Sequence, residues 1–146
     1  LARVGRYTPD QLDVLLNRES GLTGLTGLND MRDVHLAATA GEPRAVLALE
    51  IYAHRIRHYV GAYFALLGGL DAVVFTAGVG ENSADVRSRV ITPLAHLGLT
   101  LDESRNAVVG GGARQISAGG SPVSVLVIPT NEELEIARQS LAALEA

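Results

Sequence analysis

The sequence of 146 residues contains no cysteine. Disulfides, thiolate metal sites and a cysteine nucleophile are therefore excluded, and the usage suits a reducing compartment. We expect a cytoplasmic protein. No apolar run approaches the roughly 20 residues of a membrane-crossing helix, and no signal peptide is visible, so no membrane partner is expected. No basic tract interrupts a net charge of −4, and nothing points to nucleic acid. A Ser-His-Asp order with a nucleophile elbow is also missing. What is there is a globular composition, 47% hydrophobic and 19% charged, long enough for one domain with its own core. The chain starts at Leu1 and runs straight into "LARVGRYTPDQLDVLLN". We expect a piece of a longer protein.

Helices dominate the first half. Thr8-Pro9-Asp10-Gln11 offers a cap, a proline at the first helical position and an acidic first turn, which predicts a helix from Pro9 to Arg18. "SGLTGLTGLND", with Gly21, Gly24 and Gly27 three apart, reads as a loop with special backbone angles. Asn29 or Asp30 can cap a helix from Met31 to about Ala38. A long helix runs from about Pro43 to Leu67, with Leu49, Tyr52, Ile56, Val60, Tyr63 and Leu67 as its apolar stripe and Gly68 as its stop. His54 and His58 share a face of it, but no third zinc ligand accompanies them, so solvated histidines are the plainer reading.

After residue 70 strands alternate with helices. Ala72-Val73-Val74-Phe75 reads as a buried strand that stops at Gly78 and Gly80, and an amphipathic pattern with Val86, Val90 and Leu94 follows. "GLTLDESRNAVV" predicts a short strand, a cap at Asp102 and a helical piece. Residues 121–128, "SPVSVLVI", suit a partly buried strand, and "PTNEELEIARQSLAALEA" closes the chain as a helix. This is α/β organisation with at least two strands in a sheet.

Three polar stretches could carry chemistry. Gly78-Val79-Gly80-Glu81-Asn82 lies beyond a strand's carboxyl end, where open α/β sheets bind ligands. A glycine turn opening a helix lets backbone approach a phosphate. It is neither a dinucleotide fingerprint nor a P-loop, and a plain strand-to-helix turn capped by Asn82 or Ser83 is the alternative. Thr130-Asn131-Glu132-Glu133 follows another strand. Thr130 and Glu133 are spaced as a capping box, and Glu132 remains for Mg²⁺ or for the helix dipole. Asn29-Asp30-Met31-Arg32-Asp33 offers an arginine for adenine, or only a cap with a local ion pair.

Three segments together resemble acetate kinase: "LNRESGLTGLTGLNDMRDV" (16–34), "DAVVFTAGVGENSADVR" (71–87) and "VIPTNEELEIARQ" (127–139). The helix "RAVLALEIYAHRIRHYVGAYFALL" is similar too, and residues 105–122 carry no motif. The resemblance implies an α/β ribonuclease H-like ATPase domain of the sugar kinase, Hsp70 and actin type, with several strands upstream of this chain. Residues 1–146 would be most of its C-terminal nucleotide-binding domain, and the N-terminal domain would be missing. The family moves phosphate between ATP and acetate, giving acetyl phosphate and ADP, with Mg²⁺. By that likeness Gly78, Val79, Gly80, Glu81 and Asn82 contact the ribose and phosphates. Asp30, Met31 and Arg32 border the adenosine, and Glu132 is the magnesium-associated carboxylate. The family's phosphoryl-contacting arginines and histidines and its catalytic aspartate would precede Leu1, so the segment alone is expected not to turn over acetate. A propionate or other short-chain acyl kinase fits the same residues. So does a non-catalytic nucleotide-binding or dimerisation module, since the family pairs as a homodimer through this domain.

Overall fold

Gly5 and residues 7–144 are described in the structure, a computed structural model. The chain divides into two compact units, residues 1–56 and 57–146.

The first unit is helical. α1 (Pro9–Asn17) starts as its sequence predicts: the Gln11 N–H donates to Thr8 Oγ1 and the Thr8 N–H to Gln11 Oε1, a reciprocal capping box. The glycine segment is not a loop but a six-residue helix, α2 (Gly21–Thr26). Its glycines do different things. Gly21 and Gly27 take left-handed angles (φ 63° and 78°) that start and stop the helix, whereas a Cβ on Gly24 would meet Glu19 O at 2.8 Å. Leu22 and Leu25, one turn apart, pack against the core with Leu28. α3 (Met31–Thr39) follows, capped by Asp30.

α4 (Pro43–Leu67) begins in the first unit and ends in the second. Its buried face is Ala45, Ala48, Leu49 and Ala53. The expected stripe is thus only half right: Tyr52, Ile56 and Val60 are half-buried, but Tyr63 and Leu67 are exposed. Small alanines mark the buried face because the first-unit core of Val34, Ala45, Ala48 and Leu49 closes directly on the helix backbone. Gly68, at φ 72°, ends the helix as predicted.

The second unit is built on a three-stranded sheet in the order β1-β3-β2. β1 (Ala72–Phe75) runs parallel to β3 (Ser124–Val127), with Phe75 beside Val127. β2 (Arg114–Gln115) runs antiparallel to β3, inside the motif-free stretch. β3 alternates as expected, burying Val125 and Val127. β1 is the correction: it lies at the sheet edge, only Phe75 is buried, and Val74 is 48% exposed. The strand expected near Leu99 shows only isolated bridges, Leu99 with Val123 and Leu101 with Ser117.

Short helices α5 (Ala77–Asn82) and α6 (Ala84–Ile91) follow β1. Val86, Val90 and Ile91 are buried, and a 3-10 turn at Thr92–Leu97 adds Leu94. α7 (Glu103–Asn106) is capped by Asp102, which accepts from the Ser104 and Arg105 N–H groups. α8 (Glu132–Leu144) follows β3 and buries no residue.

Candidate functional site

Two turns meet at the carboxyl ends of the parallel pair. One joins β1 to α5 and the other joins β3 to α8. Ligands of open parallel sheets bind at this edge. The Ile128 N–H donates to Phe75 O at 2.9 Å, so the pairing continues to the turns themselves.

The first turn differs from the expected glycine bend. Gly78 and Gly80 lie inside α5 at ordinary angles, and the left-handed residue is Ala77, at φ 58°. An alanine held there is strained by about 1–2 kcal/mol. Such strain marks a position that its surroundings over-determine. The two glycines have separate reasons. A Cβ on Gly80 would lie 3.3 Å from the Phe75 carbonyl carbon, so Gly80 lets α5 close on the end of β1. On the side where a Cβ would point, Gly80 is closed off by the chain's own strand. A Cβ on Gly78 would meet nothing within 4 Å, and Thr76, Ala77 and Gly78 are exposed. The Thr76 side chain makes no capping bond at the start of α5, and the Ala77 N–H is met instead by the Glu81 carboxylate. The exposed backbone here is Thr76–Gly78. Ser83, not Asn82, caps the next helix by accepting from the Val86 N–H, while Asn82 Nδ2 donates back to Gly78 O at 2.8 Å.

The second turn is fastened to the first. Glu81 Oε1 accepts from the Thr130 N–H at 2.9 Å and from Thr130 Oγ1 at 3.2 Å. The Thr130 N–H, followed by its hydroxyl, the Ala77 N–H and the nearby Arg114 cation, holds the Glu81 carboxyl below the usual range. Thr130 is thus engaged by Glu81 and forms no capping box with Glu133. Asn131 takes the cap instead, accepting from the Leu134 N–H at 3.1 Å. Glu132 stands exposed at the first position of α8.

Asp30, Met31 and Arg32 lie in the first unit, apart in sequence from both turns. Asp30 Oδ1 accepts from the Arg32 N–H at 2.8 Å, and Arg32 Nε donates to the same oxygen at 3.0 Å. The cap and the ion pair of the plainer reading both form. The Arg32 side-chain bond, and then its backbone N–H, pulls Asp30 down to about 2. The Arg32 side chain remains 88% exposed, whereas Met31 packs against the first-unit core.

Three residues escaped the sequence reading. Arg87 is buried and donates to Gly80 O, Glu81 O and Asn106. Asn106 is buried with it. The one signal was a charged residue beside core positions Val86 and Val90. Arg114 sits on β2 with Nη2 donating to Val108 O, and its Nε is buried without a partner among the described residues. Nothing in its glycine-rich surroundings foretold that.

Magnesium can be tested against these residues. Among the described residues no group of three or more His, Asp or Glu could hold a metal ion. Mg²⁺ keeps several waters and commonly takes only one or two carboxylates together with substrate phosphates. A single exposed Glu132 beside the two turns fits that pattern. Among the described residues no helix is long and apolar enough to cross a membrane.

The acetokinase family model matches residues 1–138. The chain is 62% identical over 94% of its length to an acetate kinase of Leifsonia xyli subsp. xyli, covering 34% of that protein. Its fold matches the crystal structure of Porphyromonas gingivalis acetate kinase with a TM-score of 0.87 and 38% identity, over 99% of this chain and 36% of that one. A propionate kinase from Francisella tularensis subsp. tularensis matches at a TM-score of 0.82 and 40% identity, over 93% of this chain and 34% of that one. The chain thus spans about a third of the length of the curated relatives it matches. Its α/β sheet, its paired turns and these likenesses agree: the chain belongs to the acetokinase family.

Proposed function

We propose that this chain supplies the adenine-nucleotide side of a kinase that moves a phosphoryl group between ATP and acetate, giving acetyl phosphate and ADP. It corresponds in this reading to most of the C-terminal nucleotide-binding domain. The observation that carries the reading is the Glu81–Thr130 clasp, which brings two separately recognised motifs to one sheet edge.

The exposed backbone at Gly78 takes the phosphate side of the nucleotide, with Val79, Gly80, Glu81 and Asn82 forming the turn around it. Glu81 acts by holding the second turn, since its carboxylate is already occupied by Thr130. Asp30, Met31 and Arg32 border the adenosine. Asp30 sets the Arg32 guanidinium, whose plane suits stacking on a base. Glu132 would hold Mg²⁺ through its carboxylate. The ion would supply positive charge to offset the negative charge of the phosphates during transfer. None of the residues named here would form the carboxylate pocket or carry the charge that stabilises the transferred phosphoryl. We therefore expect no turnover of acetate by these residues alone.

Propionate remains the second acceptor, because the propionate kinase likeness is as strong in sequence as the acetate kinase one among the solved structures. A homodimer is the proposed assembly. It is supported by Tyr59, Tyr63, Leu66 and Leu67, exposed along the end of α4. Calorimetric titration of the chain with Mg-ATP tests the main reading. Saturable binding is expected, and a folded chain that takes up no heat would overturn it.

A further inference from the structure

Arg87 is the largest fully buried side chain, 1% exposed, and no ion pair with a carboxylate accompanies it among the described residues. A buried charge persists only where hydrogen bonds replace its lost water. Here four bonds do so. Nη1 donates to Gly80 O at 2.8 Å and to Glu81 O at 2.9 Å. Nε donates to Asn106 Oδ1 and Nη2 to Asn106 O, both at 2.7 Å.

The first two acceptors explain the cost. A helix leaves its last four carbonyls without internal partners, and α5 has only six residues. The Ser83 N–H satisfies Val79 O at 3.0 Å. Arg87, reaching over from α6, satisfies Gly80 O and Glu81 O and brings a cation to the negative end of the helix. Asn106 anchors the other side of the fork. Its Nδ2 donates to Ala84 O at 3.0 Å, to Ser88 Oγ at 3.0 Å and to Glu103 Oε2 at 3.2 Å. One guanidinium thus ties α5, α6 and α7 together. Glu81, whose carbonyl Arg87 holds from beneath, carries the carboxylate that grips Thr130.

We propose that Arg87 is a positioning residue for the nucleotide, fixing α5 and, through Glu81, the β3–α8 turn. This rests on the nucleotide reading of those turns. The planar fork is essential: a lysine ammonium presents no such fixed spread of donors to two elements at once.

The test uses the whole chain, Arg87→Lys and Asn106→Ala, followed by amide hydrogen exchange and by calorimetry with Mg-ATP. In Arg87→Lys the Ser83 and Thr130 amides are expected to exchange at least about tenfold faster. The sheet amides of Ser124 and Ile128, bonded to Asp71 O and Phe75 O, serve as internal reference and change little. The Kd for Mg-ATP is expected to rise about tenfold or more. Exchange that rises equally at all four amides would overturn the proposal, since that is the signature of general destabilisation. Local loosening with an unchanged Kd would overturn it too. If the parent chain binds no Mg-ATP while the local loosening is seen, the nucleotide reading has failed and the ordering of α5 by Arg87 stands. Where Arg87→Lys does not fold, Asn106→Ala carries the same comparison, because it removes the acceptor of Nε.

Discussion

Glu81 and Thr130 are separated by 49 positions in sequence, yet the Glu81 carboxylate accepts both the backbone N–H and the hydroxyl of Thr130. Parallel pairing of β1 with β3 brings the two turns to the same edge, and the carboxylate then locks them in register. Charge-assisted bonds of this kind are shorter and stronger than neutral ones. The clasp gives Glu81 a structural task at the place where the family likeness puts a ligand contact.

The clasp predicts a pH dependence. The Glu81 carboxyl titrates below its ordinary value, chiefly because the Thr130 N–H favours the ionised form. Its stabilising contribution is therefore present above the unfolded carboxylate range and is lost as pH falls through the folded value. Glu81→Gln, which keeps the shape but removes the charge, is expected to lower Tm at pH 7. The two melting curves should converge on acidification below about pH 4. A constant gap down to pH 3 would show that the charge is not what matters.

Gly78 and Gly80 should respond in opposite ways to one methyl group. Gly80→Ala forces a Cβ against Phe75 and is expected to cost about 1 kcal/mol net, after the gain in helix propensity. Gly78→Ala meets open space inside a helix and should stabilise by about 0.5–1 kcal/mol. The same Gly78→Ala variant should weaken Mg-ATP binding, because its methyl enters the exposed side. Chemical denaturation and calorimetry separate these effects. A stabilised Gly78→Ala that binds as well as the parent would remove Gly78 from the nucleotide site.

Ala77 offers a third test. Its left-handed angle is one that glycine adopts without strain. Ala77→Gly is expected to raise stability by about 1 kcal/mol, or Tm by about 4 °C. A lower Tm would mean that the Ala77 methyl contributes packing worth more than the strain.

The contrast between Ala77 and the two glycines shows where the sequence was legible. Caps with a side-chain signature at fixed spacing were readable, as at Thr8–Gln11, Asp30 and Asp102. So were the long helix and its Gly68 stop, and the alternation of β3. The glycine segments misled because glycine serves three purposes that look alike in sequence. It takes left-handed angles at Gly21 and Gly27, relieves crowding at Gly24 and Gly80, and leaves open space at Gly78. Thr130–Glu133 had the right spacing for a capping box, but Glu81 claimed Thr130 through a tertiary contact that no local pattern contains. Arg87 stayed hidden for the same reason: its acceptors are backbone carbonyls, which carry no sequence identity. The motifs of the family likeness marked where the turns lie. The bonds that hold them together became visible only with the fold.

Asp30 and Arg32 make a second, separate pH prediction. Asp30 is pulled from 3.8 to about 2, first by the Arg32 side chain. The pair stabilises α3 above about pH 4, and that contribution fades as pH falls from 3.8 through about 2. Asp30→Asn retains a good cap but loses the charge. Helicity followed by circular dichroism should fall in the parent across that window and stay flatter in Asp30→Asn. Because the pair is exposed, 1 M salt should narrow the difference between them. Identical acid profiles for both proteins would place the transition in other carboxylates.

Glu132 separates binding from folding most cleanly. It is exposed at the first position of α8, where glutamine keeps the length and polarity of the side chain. Its loss should leave Tm within about 1–2 °C of the parent, as for most exposed substitutions. If Glu132 helps to hold magnesium on the nucleotide, Glu132→Gln should weaken binding of Mg-ATP severalfold. It should leave binding of ATP in the presence of a chelator unchanged. The carboxylate acts through the ion in this reading, so the two titrations must diverge. Equal weakening with and without magnesium would instead assign Glu132 to the helix dipole or to a direct contact with the nucleotide, and the metal role would be withdrawn.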